Sequence, residues 1–320
     1  MPLTRSLPSY GRMAIPRIGL VLHPERDTSA QVREIQTWAS THASEILLRA
    51  ADAARAVDGI RVVNDDEAFA AQVNGLISLG GDGTMLGALR LVAHAPVPVL
   101  GVNMGNLGFL AEVGPDELPQ ALRRLNDDNF TVEAHSCLKI RYGVDATEAI
   151  AFNDVAITRV PGAGSVQASM AVDRHRYGYY RCDALIVATP TGSTAYSYSA
   201  GGPVISPNAQ GMLVTPASPT AGISRPLFLC PQEELRVELL PDAGQPALEV
   251  DGALRDRLGP GDTLDVRWRP EAGLVVRLDA AAHQERQRLK LSLLDLPLLP
   301  DELRELAPPP AVTEPPTEIR

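Results

Sequence analysis

Leu76-Ile77-Ser78-Leu79-Gly80-Gly81-Asp82-Gly83-Thr84 is an apolar run that breaks into glycines around a single carboxylate. Four apolar or small residues bounded by Gly-Gly read as a buried strand, and the residues after Thr84 continue with helical spacing as far as Pro96. A strand that ends in a glycine turn and opens into a helix suits phosphate, because bare backbone N–H groups come close to oxygens at a helix N-terminus. A carboxylate repels phosphate, so Asp82 has a different part. It reads as a general base on a hydroxyl or as a partner of magnesium.

The pattern on either side is that of an α/β layer. Ile18–Leu22 reads as a strand, Ser29 as the cap of a helix to about Ser40, and Glu45–Leu48 as a second strand. The helix after the glycine turn is expected over Thr84–His94, and Val97–Val102 is the next strand. Strands alternating with helices imply a parallel sheet, whose ligands sit beyond the carboxyl ends of the strands. From about residue 130 the period changes to two. Ala168–Val172, Leu185–Ala188, Leu235–Leu239, Leu264–Trp268 and Leu274–Leu278 read as strands with no long amphipathic helix between them.

This β-rich half holds a second constellation, Thr189-Pro190-Thr191-Gly192-Ser193-Thr194-Ala195-Tyr196-Ser197-Tyr198-Ser199. Five small hydroxyl residues fall between Thr191 and Ser199, a supply of compact donors and acceptors for sugar hydroxyls and phosphate oxygens. A buried strand enters the loop and Gly201-Gly202 closes it, which marks an ordered site. Phe152-Asn153-Asp154-Val155 is a weaker signal of the same kind.

Gly80–Thr84, Asn106–Leu110, Asn153-Asp154, Asp183 with Thr189–Tyr196, and Ser199–Pro203 together resemble the ordered motifs of the NAD kinases, over about residues 15–290. Gly-Gly-Asp-Gly is shared with phosphofructokinases and diacylglycerol-type lipid kinases; Thr-Pro-Thr-Gly-Ser-Thr-Ala-Tyr is far more specific. The resemblance implies an α/β nucleotide-binding-like domain followed by an all-β sandwich, with the site between them. It implies transfer of the ATP γ-phosphoryl group to the 2′-hydroxyl of the adenosine ribose of NAD. Asp82 matches the proton acceptor, with Gly83 beside it at the dinucleotide. Phe109 matches an aromatic contact, and Asn153 and Asp154 match the pair at the ribose and phosphate region. Asp183 matches a carboxylate that holds a polar edge of the dinucleotide, and Arg181 a nearby substrate-contacting position. Thr191, Thr194, Ala195, Tyr196, Ser197, Tyr198 and Ser199 match the binding loop. Mg2+ accompanies ATP, and a cytoplasmic homodimer or homotetramer is expected. Four positions depart from the pattern: Met104, Ala184 for the usual Gly, Thr220–Gly222 without the usual His, and Ala253 for Gln.

Composition narrows the alternatives. The 320 residues carry a formal net charge of −10, which argues against a nucleic-acid groove or an anionic membrane surface. No apolar stretch approaches the ~20 residues of a membrane helix. Three scattered cysteines and six histidines show neither a disulfide framework nor metal-ligand spacing. No Walker-type lysine follows the glycine turn, where Met85 and Leu86 stand. A lipid kinase would need an apolar or basic face, and a sugar-phosphate kinase more arginines near the turn than Arg90. A non-catalytic dinucleotide sensor would hardly need Asp82. The organisation expected is a disordered leader over 1–13, an α/β domain over 14–130, and a β-rich dinucleotide-binding domain over 131–284. A segment packing back over 285–306 and a disordered, proline-rich tail over 307–320 complete it.

Overall fold

The computed structural model describes residues 16–105, 110–279 and 283. Phe109 and the expectations for 1–13, 285–306 and 307–320 lie outside the described residues. Residues 1–278 form one compact unit and 279–320 a second. Of the second, the described residues are Asp279 and His283, joined by a 2.9 Å backbone hydrogen bond from His283 N–H to the Asp279 carbonyl.

The first layer comprises β1 (Arg17–Leu22), α1 (Ser29–Thr41), β2 (Glu45–Arg49), β3 (Arg61–Val63), α2 (Asp66–Gln72), β4 (Gly75–Gly80), α3 (Asp82–Leu91), β5 (Pro98–Asn103) and α4 (Leu118–Asn126). Its strands are parallel in the order β3-β2-β1-β4-β5. β4 is buried along its whole length, as an apolar strand covered on both faces should be. The order reverses between β1 and β4. The crevice outside their carboxyl ends is where such sheets bind ligands, and Asp82 begins the helix there.

The remaining elements are β6 (Thr131–Tyr142), β7 (Thr147–Ala151), β8 (Asp154–Thr158), β9 (Val166–Val172), β10 (His175–Cys182), β11 (Ala184–Ala188) and the short α5 (Tyr196–Ser199). They are followed by β12 (Met212–Ala217), β13 (Ala221–Gly222), β14 (Leu227–Leu229), β15 (Leu235–Leu239), β16 (Ala247–Val250), β17 (Ala253–Arg257) and β18 (Thr263–Arg277). A six-stranded sheet, β14-β12-β11-β8-β16-β17, packs on the β-rich end of a twelve-stranded sheet. Val155, Ile157, Leu185 and Val214 from one sheet and Ile140, Met170, Val237 and Val266 from the other fill the space between. This is the sandwich.

The large sheet runs through both halves. Gly273–Arg277 of β18 pair with Thr131–His135 of β6 beside β5, and Leu264–Arg269 pair with Cys137–Tyr142 inside the sandwich. Two separate strands were expected from the sequence over Leu264–Trp268 and Leu274–Leu278. They are one strand with an irregularity between Arg269 and Gly273, where Glu271 has φ +49°. Two helix boundaries also differ. The cap of α1 is not Ser29, which is the first helical residue; the carboxylate of Asp27 accepts its N–H at 2.9 Å. α3 starts at Asp82 and ends at Leu91, because Gly81 already turns extended backbone into helix.

Candidate active site

Two groups of residues make the site. The first surrounds Asp82 at the start of α3. A Cβ placed on Gly81 or Gly83 would meet nothing within 4 Å, so both glycines face open space beside the carboxylate. The Leu110 N–H donates to Asp82 Oδ1 at 3.1 Å. Leu110 is held from its other side, where Arg277 Nη1 donates to its carbonyl at 2.9 Å. Arg277 is itself buried between Glu112 and Glu133.

Beside Asp82 a cleft of about 420 Å³ opens at the carboxyl ends of β1 and β2. It is lined by His23, Arg49, Asp52, Arg55, Gly83 and Thr84, among others. Sequence reasoning missed the two arginines. Asp52, buried, accepts from Arg49 Nε and Nη2 at 3.1 and 3.0 Å and from Arg55 Nη2 at 3.2 Å. One carboxylate thus gathers two guanidinium groups at the crevice. The Ala-rich stretch between β2 and β3 gave no clue beyond the Arg-x-x-Asp-x-x-Arg spacing on a turn of 3-10 helix.

The second group is built on the start of β8. Gly192 lies so close to Asn153 that a Cβ there would fall 2.0 Å from its carbonyl oxygen; only glycine fits. The Thr189 N–H donates to the same carbonyl at 2.8 Å, and its hydroxyl donates to the Phe152 carbonyl at 2.7 Å. The hydroxyl loop is therefore clamped on Phe152–Asn153. Much of its hydroxyl supply is spent internally. Ser193 Oγ accepts from Ile205 N–H at 2.9 Å and donates to the Pro190 carbonyl at 2.7 Å; Ser197 Oγ, fully buried, meets Thr215 Oγ1 at 2.8 Å. Thr191 meets the Thr189 hydroxyl at 3.0 Å, and Thr194 donates to the Thr191 carbonyl at 3.3 Å.

Asp154 is buried at the start of β8, and burial, then the charges of Asp251 and Glu249, push its carboxyl up to about 7. The Tyr196 backbone N–H donates to it. Tyr196 keeps 38% of its surface exposed, and burial together with Glu249, Asp154 and Asp183 raises its phenol. Asp154, Tyr196, Asp183 and Glu249 thus share one electrostatic neighbourhood. Asp183, half-exposed, pairs with Arg159 at 2.8 Å, and Arg181 lies two residues before it on β10 with its carbonyl bound to Thr220 N–H. Ala184 has no positive φ and pairs with Thr158 and Ala217 as ordinary strand, so glycine is not required there. Burial pushes the Cys182 thiol up to about 12, which leaves it inert.

Asp251, in the turn between β16 and β17, connects the two groups. Its side chain is fully buried and meets Arg90 Nη1 of α3 at 2.5 Å and the Asn153 N–H at 2.7 Å. Sequence reading noted Arg90 only as the arginine near the glycine turn and did not join it to Asp251. Among the described residues no group of three His, Cys, Asp or Glu side chains is disposed to hold a metal ion, and no helix is long and apolar enough to cross a membrane.

A glycine-rich turn at the switch point of a parallel sheet, with a carboxylate where phosphate alone would want none, defines a nucleotide-dependent phosphotransferase. Sequence comparison narrows the class. Residues 18–130 match the model of the ATP-NAD kinase N-terminal domain, and 152–278 that of the ATP-NAD kinase C-terminal domain. An NAD kinase of Moorella thermoacetica is 34% identical over 86% of this chain and 89% of its own length. One of Heliobacterium modesticaldum is 34% identical over 82% and 94%, respectively. The structure superposes with a TM-score of 0.75 on yeast NADH kinase complexed with NADH, at 20% identity over 89% of this chain and 90% of that one. An NAD kinase from Archaeoglobus fulgidus in complex with ATP gives 0.65, at 20% identity over 87% and 98%. The chain belongs to the ATP-NAD kinase family, and it is an enzyme of the kinase class.

Proposed function

We propose that the protein transfers the γ-phosphoryl group of ATP to the 2′-hydroxyl of the adenosine ribose of NAD, giving NADP and ADP. The observation that carries this reading is Asp82. It sits between two glycines that face open space, at the switch-point crevice, with one oxygen anchored by the Leu110 N–H. The 2′-oxygen forms a bond to the γ-phosphorus as its proton passes to Asp82. The bond from that phosphorus to the β–γ bridging oxygen breaks, and ADP leaves with the electron pair. Proton acceptance of this kind is worth about 10²–10⁴-fold; positioning and charge neutralisation supply the rest.

The cleft beside Gly83 and Thr84 suits the donor's phosphates, with Arg49 and Arg55 as its cations. Mg2+ binds largely through substrate phosphates rather than an all-protein cage, so it would arrive on the phosphates of ATP, leaving Asp82 to accept the proton. When bound, the ion neutralises developing charge on the transferring group. Asn153, Asp154, Arg181, Asp183 and the Thr191–Ser199 loop would hold the dinucleotide. Burial and the neighbouring carboxylates favour the protonated form of Asp154, which donates a hydrogen bond and spares the dinucleotide's phosphates a full negative charge.

The test is NADP formation from NAD, ATP and Mg2+, read through a coupled NADP-specific dehydrogenase. Asp82→Asn keeps the shape and should lose at least ~100-fold in kcat while NAD still binds. Turnover within a few-fold of the parent would remove Asp82 as the base.

A further inference from the structure

We propose that Arg90 and Asp251 form a latch that sets the Asn153–Asp154 backbone at a fixed place relative to Asp82, so that both are positioning residues for the reaction. The inference rests on the reading of Asp82 and of the Asn153–Asp154 pair given above.

Asp251 spends its whole carboxylate on two elements. Oδ1 accepts from the N–H groups of Asn153 at 2.7 Å and Asp154 at 3.2 Å. Oδ2 accepts from Phe152 N–H at 3.2 Å and from Arg90 Nη1 at 2.5 Å. The Asp251 N–H in turn donates to the Asp154 carbonyl at 2.9 Å. Three consecutive amides of the dinucleotide-side segment are therefore gathered on one buried anion. Asp251 reaches them from φ +48°, a left-handed conformation that residues other than glycine seldom adopt. The fourth donor belongs to the helix that Asp82 begins. Arg90 lies eight residues along α3, about 12 Å at helical rise, so a rigid arm links the proposed base to the clamp. A charged group suits such a joint, since charge-assisted bonds hold geometry better than neutral ones.

Two features separate this from a salt bridge that merely stiffens the fold. The gathered amides belong to the residues proposed to bind substrate, so a shift there is felt at the ribose. Asp251 also faces the Asp154 carboxyl, together with Glu249 and the Tyr196 N–H, and its charge helps hold that group protonated. Changes to the latch must therefore move the titration of Asp154 in a direction fixed by sign.

The test follows NAD binding by calorimetry from pH 5 to 9, which needs no turnover, and then kcat and KM for both substrates. Asp251→Asn removes the negative charge and turns an NH2 toward N–H donors. It should weaken NAD binding, lower kcat on the order of 100-fold, the penalty for a displacement of about 1 Å at the reacting groups, leave KM for ATP within about 2-fold, and move the break in the binding profile to lower pH than in the parent. Arg90→Met strips Asp251 of its counterion and should move the break to higher pH; Arg90→Lys should restore most of the parent's affinity. Breaks that stay put in all three variants, or move the same way in Asp251→Asn and Arg90→Met, would overturn the latch. If Asp251→Asn does not fold, the two Arg90 variants decide alone. Absence of NADP formation by the parent, with these binding shifts intact, would defeat the reading of Asp82 and not the latch.

Discussion

Asp154 carries the clearest conflict between fold and charge in the chain. It is an acid that folding buries beside two further carboxylates, which lifts its carboxyl from 3.8 to about 7. The folded state therefore binds this proton more tightly than the unfolded one. The associated stability is complete below pH 4 and is lost as pH rises through 7. Glu133 has the opposite sign: burial pushes it up, but hydrogen bonding and charge from His135 and Arg277 hold it well below its ordinary value of 4.5. Its stabilisation is lost only in acid, so the two windows do not overlap. Thermal melts from pH 4.5 to 8 should show the parent losing stability as pH climbs, and Asp154→Asn losing much less. Parallel slopes for the two proteins would mean that Asp154 is already ionised across this range.

At the scale of elements, the hydroxyl loop shows what the sequence could and could not convey. Gly192 stands against the Asn153 carbonyl with no room for a Cβ. Gly192→Ala should lift the loop from β8, costing about 1–3 kcal/mol as overpacking does and weakening NAD binding, read by urea denaturation and calorimetry on one preparation. Unchanged stability and affinity would show that the loop tolerates a different seat. The motif's presence and its place after a buried strand were legible from Leu185–Ala188 and the flanking Pro190 and Gly201-Gly202. Which hydroxyls face outward was not, because Ser193, Ser197 and Thr189 are committed to Ile205, Thr215 and Phe152, partners set by packing rather than by spacing. Arg90 and Asp251 stand 161 residues apart, and nothing local marks either. The irregularity in β18 escaped for a different reason. Two apolar runs flanking Arg269–Ala272 look like two strands, and only the partner β6 keeps them in one ladder.

The molecule's first 278 residues behave as a unit because one sheet crosses them. β6 and β18 pair along nearly their whole length, with one end beside β5 and the other in the sandwich. Arg277 reinforces that junction from within, tying β18 to Glu112, to Glu133 of β6 and to the Leu110 carbonyl. Neither half can lose its order without disturbing the strands of the other. The chain's two tryptophans report on this separately. Trp38 on α1 packs against the first-layer core, and Trp268 on β18 against the sandwich core. In Trp38→Phe and Trp268→Phe proteins, the remaining fluorophore should follow urea unfolding with the same midpoint and slope, the mark of a single cooperative transition. Arg277→Met removes the guanidinium from buried Glu112 and half-buried Glu133, a loss of up to about 3–5 kcal/mol. On that background the Trp38 signal should move to lower urea ahead of Trp268, because Arg277 stands at the end of β18 beside β5. Two midpoints already separate in the parent would mean that the shared strands do not couple the halves, and that Asp82 and Asn153 are held together by the site's local contacts alone.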